Sequence, residues 1–462
     1  MKEKITRCFS KRFVILQIDN RGKERMFFRK KHLNSVDTPH LKGTAACSTK
    51  RSIIPEVVRI SLAQNIGTPC EPLVKRGDYV KVGQKIGDTV SYVSAPVHAS
   101  VSGAVREIET VRSASGGKEK RVVIDSDGKQ VLFDGITKPE ITDRESFIKA
   151  IRESGLVGLG GAAFPTHVKL SPKNLDEVDT LIINGAECEP FLTSDHREML
   201  EDADFMIDGA LAIMKYLEIK QGIIAIESNK PDAIASINDL LAKRRVDNIK
   251  TVSLVPRYPK GAERVLIYEV TGRMMKGGML PADVGCIVSN VSSVGFIGHY
   301  LRNGLPLVNR RITVDGDAVA HPGNIFIPVG ASVADAVESC GGYIAEPAKI
   351  VMGGPMMGRA VYSDSFCITK NCNGVLVFSR AYAEPPEVTN CINCGRCHTA
   401  CPFDLLPTGF ADAYEHHDVE RLKQLRVMEC MECGSCSYVC PAHRPLQLMN
   451  KMSKMMIWEA GK

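Results

Sequence analysis

The stretch CINCGRCHTACP at residues 391–402 is followed by CMECGSCSYVCP at residues 430–441. Each copy has the spacing C-x-x-C-x-x-C-x-x-x-C-P, the run whose thiolates ligate 4Fe-4S clusters. A cubane presents four iron corners close together, so three thiolates must come from one tight loop. Gly395 and Gly434 allow the backbone to approach such a cluster closely. The two runs therefore predict two 4Fe-4S clusters and a protein that transfers single electrons.

In paired runs of this kind, the fourth cysteine of one run ligates the cluster that the other run holds. We therefore predict two ligand sets: Cys391, Cys394, Cys397 and Cys440 for the first cluster, and Cys430, Cys433, Cys436 and Cys401 for the second. The alternative is a pair of zinc sites, since C-x-x-C pairs also bind zinc. A tetrahedral zinc ion has no use for a third and a fourth cysteine at this spacing, which favours the clusters.

Composition limits the function classes that remain. A chain of 462 residues predicts about three domains. The net charge of +6 is mild for this length and does not by itself argue for nucleic-acid binding. Half of the 16 cysteines lie in the two runs, and the rest have no ligand spacing, which fits a reducing compartment. No apolar stretch is long enough to predict a transmembrane helix.

The first part of the chain predicts a leader and a small β domain. Residues 1–54 are rich in Lys and Arg, and we expect a basic leader that is solvated or partly disordered, with contact to anionic lipid or an acidic partner as the alternative. Residues 55–137 alternate short apolar and polar runs between turns. GDYVKVGQKIG (77–87) and SAPVHASVSGAV (94–105) resemble the barrel-sandwich fold of biotinyl and lipoyl carriers. The hairpin between them, TVSYV (89–93), has no lysine, so no attached lipoyl or biotin is expected.

Residues 138–305 predict an α/β domain. FIKAIRESG (147–155) has the spacing of an amphipathic helix that ends at Gly155. Glycines 158, 160 and 161 follow, and their N–H groups would surround an anion, with the dipole of a following helix in support. LIINGAECEP (181–190) is an apolar strand that ends in small and acidic residues, where open α/β sheets bind ligands. Its two glutamates would bind ribose hydroxyls or a nicotinamide amide, or else cap a helix.

At these residues the chain resembles a known family. GLGGAAFPTHVK followed by NGAECEP is similar to the flavin- and NADH-binding fold of the complex I flavoprotein subunit. The similarity continues through residues 258–273, 280–294 and 306–333, the last of which resembles a ubiquitin-like SLBB β-grasp segment. With the β module in front and a ferredoxin-type domain behind, the order resembles the RnfC family of the Rnf complex, the membrane-bound ferredoxin:NAD oxidoreductase. The resemblance covers residues of about 55–450.

The resemblance implies a set of FMN- and NADH-binding residues. FMN phosphate would lie at the glycine-rich loop and Lys169, the isoalloxazine or ribityl near two residues of the acidic stretch, and NADH at Phe164 and Glu189. Glu263 is the one acidic residue that remains of a Gly-Glu-Glu signature at residues 260–263. Leu159 stands where complex I carries arginine, which implies weaker or differently anchored FMN. The full cofactor set is Gly158, Gly160, Gly161, Phe164, Lys169, Asn184, Glu187, Glu189, Glu263, Asn290 and Ser293.

The expected fold is multidomain, α/β and α+β. It comprises the leader, a barrel-sandwich module (55–137), an FMN/NADH-binding α/β domain (138–305), an SLBB-like β-grasp domain (306–385) and a helical domain with two 4Fe-4S clusters (386–462). The motif GGPMMGRAV (353–361) is interpreted as a packed linker, with a substrate pocket as the alternative.

The resemblance implies an oxidoreductase component that passes electrons between NADH and the clusters through FMN, without a general acid or a nucleophile. Its partners would be integral membrane and ferredoxin-like Rnf subunits that link electron flow to ion transport, with ferredoxin as an indirect partner and no nucleic acid. Its place would be peripheral, on the cytoplasmic face of the membrane. Two alternatives stay open. One is a soluble NADH-dependent reductase of the proline-reductase-associated or cobalamin-reductase type, and the other is an iron–sulfur relay with a degenerate flavin site.

Overall fold

A computed structural model describes residues 12–18, 24–30, 32–112 and 117–461, the first two ranges as backbone only. The chain divides into two compact units. The main unit contains residues 37–263 and 279–387. The cysteine unit contains residues 264–278 and 388–462 together with the chain up to Val36.

The described strands, in chain order, are β1 (Arg12–Ile18), β2 (Glu24–Lys30), β3 (Lys50–Arg51), β4 (Val57–Ser61), β5 (Glu71–Pro72), β6 (Tyr79–Val80), β7 (Lys85–Asp88), β8 (Val97–His98), β9 (Gly103–Arg112), β10 (Lys118–Ser126), β11 (Thr180–Gly185), β12 (Gln221–Glu227), β13 (Ile249–Leu254), β14 (Cys286–Asn290), β15 (Asn309–Asp315), β16 (Gly323–Pro328), β17 (Lys349–Met352), β18 (Arg359–Val361) and β19 (Gly374–Phe378).

The helices are α1 (Arg144–Glu153), α2 (Thr166–Lys169), α3 (Ser194–Glu201), α4 (Ala203–Leu217), α5 (Pro231–Arg244), α6 (Glu263–Thr271), α7 (Val291–Asn303), α8 (Val333–Glu338), α9 (Arg380–Ala383), α10 (Arg396–Thr399), α11 (Pro407–Glu415), α12 (Val419–Gln424), α13 (Ser435–Tyr438) and α14 (Leu446–Ala460). Short 3₁₀ helices lie at Leu175–Glu177, Pro281–Val284 and Val427–Glu429. Among the residues described, no helix combines the length and the apolar character that crossing a membrane requires.

Strands β4 to β10 form the predicted barrel-sandwich module. They make two small sheets, ordered β4-β10-β9-β6 and β5-β7-β8, in which neighbouring strands run antiparallel. Val58 and Ile60 point into the core and are fully buried, while Val57 and Arg59 are partly exposed. This alternation is what a strand with one face on a core requires. The fold class predicted from the sequence is confirmed here.

The α/β part is built on a four-stranded parallel sheet ordered β13-β12-β11-β14. Leu181, Ile182 and Ile183 of β11 are all fully buried, as expected of a parallel strand covered on both faces. Helix α1 begins after Asp143, whose carboxylate accepts the N–H of Ser146. It ends at Glu153, two residues before the glycine that the sequence placed as its stop.

The β-grasp part has a six-stranded sheet ordered β18-β17-β19-β15-β16-β3. Helix α8 begins after Ser332, which forms a capping box with Asp335. The connection between β15 and β16 is long, because β16 begins only at Gly323. Within this connection the carboxylate of Asp317 accepts the N–H of Ser379 at 2.9 Å.

The predicted leader is wrong for residues 37–54, which belong to the folded main unit. β3 pairs in parallel with β16 at the edge of the β-grasp sheet. Asn324 donates to the Thr44 carbonyl at 3.0 Å, and the Thr44 and Thr193 hydroxyls lie 2.6 Å apart. Residues 37–54 are therefore part of the main unit, because their polar groups find partners that lie far along the chain. Earlier in the leader, β1 pairs with β2, and residues 1–11, 19–23 and 31 lie outside the described residues.

Short helices form the cysteine-rich part of the cysteine unit. Leu405, Phe410, Leu422 and Val427 make its core, against which Ile457 of α14 packs. Helices α11 and α12 lie between the two cysteine runs, as expected of a helical domain. The first run leads into α10 and the second into α13, each through a glycine in the left-handed conformation (φ 71° at Gly395 and 81° at Gly434). The two runs thus share one local backbone design.

Candidate functional site

The candidate cofactor site of the main unit lies where parallel strands β11 and β14 end. Open α/β sheets bind ligands at this carboxyl edge. The loop after β11 carries the acidic stretch of residues 186–190, and Asn290 at the end of β14 caps α7 by accepting the N–H of Ser292 at 2.9 Å. The glycine-rich loop and the start of α6 reach the same edge, as their contacts show.

The glycine-rich loop contacts two of the predicted flavin residues. The Leu159 N–H donates to the Ser293 hydroxyl at 3.0 Å. A Cβ on Gly160 would lie 2.5 Å from the Asn290 amide nitrogen, so a side chain there would displace Asn290. Gly160 and Gly161 are exposed, and the Gly158 N–H is used internally, donating to the Phe164 carbonyl at 2.9 Å. The loop therefore presents bare backbone to the site.

Helix α2 is too short for the role expected of it, which was to support anion binding through its dipole. It follows the glycine-rich loop, but it is one turn of four residues, Thr166–Lys169. The dipole of an α-helix builds up from aligned peptide units, so a single turn adds little positive potential. Any anion at the glycine-rich loop must instead depend on individual N–H groups and on side-chain cations. Phe164, predicted to stack on nicotinamide, is half-buried at the end of this loop.

Lys169 and Glu263 are brought together as a pair. The Lys169 ammonium lies 2.9 Å from the Glu263 carboxylate and donates to the Val288 carbonyl at 3.0 Å. Both side chains are about a third exposed, 31% and 39%. The pair fixes the ammonium beside the last residues of β14. Two residues that are 94 positions apart in the sequence thus form one local charge cluster.

Asn184 ties the acidic loop to the segment before α6. Its amide donates to the Gly261 carbonyl at 2.8 Å, and its oxygen accepts the Ala186 N–H at 3.2 Å. A Cβ on Gly261 would lie 3.4 Å from Ala186 and from Cys188. Asn184, near the end of β11, is therefore in direct contact with the segment of residues 260–263.

Glu187 caps a helix. Its two carboxylate oxygens accept the N–H groups of Asp195 (2.7 Å) and His196 (3.1 Å) at the start of α3. Helix capping was one of the two interpretations that the sequence left open for this residue. The carboxylate is 8% exposed, so it holds the acidic loop against α3 from inside the protein.

Glu189 bonds to the β-grasp part. Its oxygens accept the N–H groups of Met356 and Met357, both at 2.9 Å, from the loop between β17 and β18. Burial raises the pKa of Glu189 to about 7, while the two N–H groups oppose this rise. The GGPMMG motif is thus attached to the acidic loop through Glu189, while Pro355, Met357 and Gly358 within it are exposed.

Two buried charged residues near the glycine-rich loop were missed by the sequence analysis. Asp195 accepts from the Asn290 amide at 2.7 Å and from the Ser292 hydroxyl at 2.9 Å. Burial, followed by the charge of Glu187, raises the pKa of Asp195 to about 6. Arg310, 4% exposed, donates to the Leu159 carbonyl at 3.3 Å. A buried polar residue on a helix or strand has no motif, so no local signal marked either one.

Two lysines hold the acidic loop from the opposite side. The Lys42 ammonium donates to the carbonyls of Glu187, Glu189 and Leu192 at 2.9, 2.8 and 2.5 Å. Burial of this ammonium lowers the pKa of Lys42. Lys230, 2% exposed, donates to the Ala186 carbonyl at 2.7 Å and pairs with a buried glutamate of β12 at 3.0 Å. Ammonium groups thus fix four carbonyls of the loop.

The cysteines of the second predicted set surround a cavity in the cysteine unit. Its lining includes Cys401, Cys430, Cys433 and Cys436. Burial raises the pKa of Cys401 to about 11, and the nearby thiols of Cys433 and Cys430 contribute. A cysteine of the first run therefore lies with three of the second. Among the described residues, no three His, Cys, Asp or Glu side chains converge as one metal ion would require.

The first predicted set is more exposed. Cys394 is exposed, Cys391 and Cys440 are half-buried, and Cys397 is buried. The pKa of Cys397 is raised mainly by burial, with a contribution from Cys440 of the other run. Cys397 and Cys440 also belong to one apolar cluster. The fourth cysteine of each run thus lies near cysteines of the other.

Polar groups around the second set point at sulfur. The Asn450 amide lies 3.6 Å from the Cys430 sulfur and 3.8 Å from the Cys436 sulfur, and the Glu432 N–H donates to the Cys430 sulfur at 3.4 Å. Donors of this kind stabilise thiolates and adjust the potential of a cluster they ligate. The donor set therefore fits an anionic iron–sulfur centre.

Two features together indicate a class of protein: a bare glycine-rich loop at the carboxyl edge of a parallel sheet, and two four-cysteine runs in a separate unit. The class is the flavin- and iron–sulfur-containing electron-transfer proteins. Four family models match the chain: the RnfC barrel sandwich hybrid domain (residues 33–129), the Nuo51 FMN-binding domain (151–299), the SLBB domain (311–360) and the 4Fe-4S dicluster domain (387–441).

Curated relatives match most of the chain. The RnfC protein of the Na(+)-translocating ferredoxin:NAD(+) oxidoreductase complex of Acetobacterium woodii is 40% identical over 87% of this chain and 91% of its own length. Its counterpart in the proton-translocating complex of Clostridium ljungdahlii is 41% identical over 79% and 80%. The RnfC protein of the ion-translocating oxidoreductase complex of Rhodobacter capsulatus is 35% identical over 88% and 79%. The chain belongs to this family, the RnfC subunits of ion-translocating ferredoxin:NAD oxidoreductase complexes.

The family resemblance and the fold class predicted from the sequence are confirmed. The protein is an oxidoreductase subunit with an FMN-binding domain and a 4Fe-4S dicluster domain, and other Rnf subunits are its expected partners.

Proposed function

We propose that this chain is the NAD-linked electron-transfer subunit of its complex, which passes electrons between NADH and two 4Fe-4S clusters through FMN. The observation that carries the proposal is the meeting of predicted site residues from separate loops at one sheet edge. Lys169 pairs with Glu263, Gly160 abuts Asn290, and Leu159 bonds to Ser293. The same chain carries two runs of four cysteines each in its other unit.

In this proposal the glycine-rich loop and Lys169 bind the FMN phosphate. Gly160 and Gly161 are exposed and carry no side chain to exclude an anion. The Lys169 ammonium is held by Glu263 and by the Val288 carbonyl, so it is oriented before the phosphate arrives. Bound FMN supplies the conversion between two-electron hydride chemistry and single-electron steps.

The remaining site residues orient the cofactors. Asn184 and Asn290 present amides at the sheet edge, and Asp195 holds the Asn290 amide from within the protein. Glu187 keeps the acidic loop on α3, so it supports the isoalloxazine end of the site through the backbone. NADH would approach beside Phe164. No residue is required as a nucleophile or a general acid, because the protein's work is to place the two rings against each other.

For the clusters we propose the exchanged ligand sets, with Cys440 completing the first centre and Cys401 the second. The proximity of Cys401 to Cys430 and Cys433, and of Cys397 to Cys440, supports this assignment. Asn450 and the N–H groups around the second set would moderate the negative charge of a cubane with four thiolates.

We further propose that the protein acts on the cytoplasmic face of the membrane, where integral subunits provide the ion path and ferredoxin is the other redox partner. The names of its relatives support ferredoxin and NAD as the two redox partners. Those relatives differ in their ion, one Na(+) and one proton, so the proposal leaves the ion open.

The test is electron transfer in anaerobically reconstituted full-length protein. Iron analysis is expected to give about eight atoms per chain, which is two cubanes. NADH is expected to bleach the cluster absorbance when FMN is bound and not when FMN has been removed, while dithionite bleaches both samples. A preparation replete in iron and FMN that NADH leaves unbleached would refute the proposal.

A further inference from the structure

A loop of the β-grasp part approaches the acidic loop of the candidate site. This methionine loop, residues 353–358, connects β17 to β18. It is bound through one carboxylate, since the two oxygens of Glu189 accept the N–H groups of Met356 and Met357, both at 2.9 Å. Hydrogen bonds to an ionised carboxylate are stronger than neutral ones, so this contact is a strong attachment.

The glycines of the methionine loop fit this contact. A Cβ on Gly354 would overlap the carboxylate of Glu189, and a Cβ on Gly358 would overlap the Gly354 carbonyl. Gly353 has a φ of 97°, which disfavours any other residue. The glycines of GGPMMG therefore have three structural explanations: a positive φ at Gly353, close approach to Glu189 at Gly354, and close approach within the loop at Gly358.

Glu189 itself is held in place. The Lys42 ammonium donates to its carbonyl at 2.8 Å and is the charged group that faces its carboxylate, with the Cys188 thiol also nearby. Both carboxylate oxygens are engaged by the methionine loop. A side chain so committed is poorly placed to bind a dinucleotide directly.

We propose that the methionine loop is a wall of the dinucleotide site, and that Glu189 is a positioning residue that holds this wall rather than a ligand of NADH. Met357 is 56% exposed at the tip of the loop. Its unbranched, polarisable thioether suits contact with the flat face of a nucleotide ring. This inference rests on the proposed function, since it names a further element of the same NADH site.

Protonation of Glu189 weakens the wall. A carboxylic acid oxygen that carries a proton becomes a donor, so one of the two N–H groups loses its acceptor. Because burial raises the pKa of Glu189 to about 7, the loop is fully attached above this pH and loosens as the pH falls below it. The KM for NADH in the wild type is therefore expected to rise as the pH falls through the pKa of about 7.

The experiment measures KM, kcat and FMN content with NADH and an artificial acceptor in reconstituted full-length protein. Glu189→Gln, Gly354→Ala and Met357→Ser are expected to raise KM on the order of tenfold. FMN content and kcat at saturation are expected to stay close to those of the wild type, and Glu189→Gln is expected to remove the pH dependence of KM. Matched controls are Glu346→Gln, an exposed carboxylate, and Gly323→Ala, where a Cβ has room.

The outcomes separate this inference from the proposed function. A raised KM in Glu189→Gln with unchanged values in both loop variants would show that Glu189 contacts NADH itself, which overturns the inference alone. Unchanged KM in all three variants overturns it as well. Met357→Ser keeps the test decisive if the other variants do not fold, since it alters only an exposed side chain. Failure of NADH to reduce wild-type FMN would overturn the proposed function and this inference together.

Discussion

Under the proposed function, Lys169 is the residue at which we expect FMN binding to be separable from folding. Its ion pair with Glu263 is about a third exposed on both sides. A pair of this kind contributes only about 0–1 kcal/mol to stability. A phosphate at the glycine-rich loop would gain far more from the same ammonium, since charge-assisted bonds to phosphate are strong.

We expect Lys169→Ala to lower FMN affinity by on the order of tenfold or more while the melting temperature stays close to that of the wild type. Flavin released from the purified variant, measured by fluorescence, checks the first part, and thermal unfolding checks the second. Lys173→Ala, at an exposed position nearby, is the matched control. Unchanged flavin content in Lys169→Ala would remove this residue from the phosphate site.

The exchanged cysteines give a second prediction at the residue scale. Cys440→Ser is expected to perturb the cluster held by the first run, and Cys401→Ser the cluster held by the second, because each fourth thiolate belongs to the other set. Electron paramagnetic resonance of the reduced variants distinguishes the two centres, and Cys47→Ser serves as the control. If each substitution altered only the cluster of its own run, the ligands would not be exchanged.

Among the elements, the segment of residues 37–51 has a larger role than a leader. It adds β3 to the β-grasp sheet and places Lys42 under the acidic loop. The loop after β11 would otherwise leave three inward carbonyls without this donor. Buried polar groups that lose their partner are costly, at about 1–3 kcal/mol each.

Lys42→Met is expected to lower the free energy of unfolding by at least about 1–3 kcal/mol, because the apolar chain keeps the volume but donates no hydrogen bond. The midpoint of urea unfolding, followed by circular dichroism, measures the change. Lys50→Met, at an exposed position on β3, should leave that midpoint unchanged. Equal midpoints for both variants would mean that water replaces the ammonium without cost.

The acidic stretch of residues 186–190 shows, at the scale of the elements, why its carboxylates were difficult to assign from the sequence. From the sequence, Glu187 and Glu189 were equivalent carboxylates at a strand end. In the structure one caps α3 and the other binds the methionine loop. Which donor each carboxylate meets depends on α3 and on a loop that lies far along the chain, and no local pattern encodes that distance.

At the scale of the whole molecule, the described residues contain no helix that could cross a membrane, whereas relatives of the chain belong to ion-translocating complexes. Under the proposed function, in which integral subunits provide the ion path, we expect membrane association to require the partner subunits. The chain should sediment with membranes when it is produced with the other Rnf subunits, and a salt or alkaline wash should release it, since peripheral attachment depends on protein contacts. Its distribution is measured by immunoblotting of the membrane and supernatant fractions.

The control for that measurement is the chain produced alone, which is expected in the supernatant. Sedimentation of the chain alone would contradict the prediction and would indicate that the chain binds lipid directly, the alternative that its basic first residues left open. Retention after an alkaline wash would indicate an anchor of its own.

The sequence by itself was enough to identify the two cysteine runs, the order of the modules and the family. These signals are local: each cysteine run spans 12 residues, and the spacing of a cluster loop, the alternation of β4 and the periodicity of α1 all follow from backbone geometry over a few residues. Only the tertiary structure decided the partners of Lys42, Glu187, Glu189 and Asp195. A buried charge takes whichever donor or acceptor the packing brings to it, and that packing is set by contacts between segments far apart in the chain.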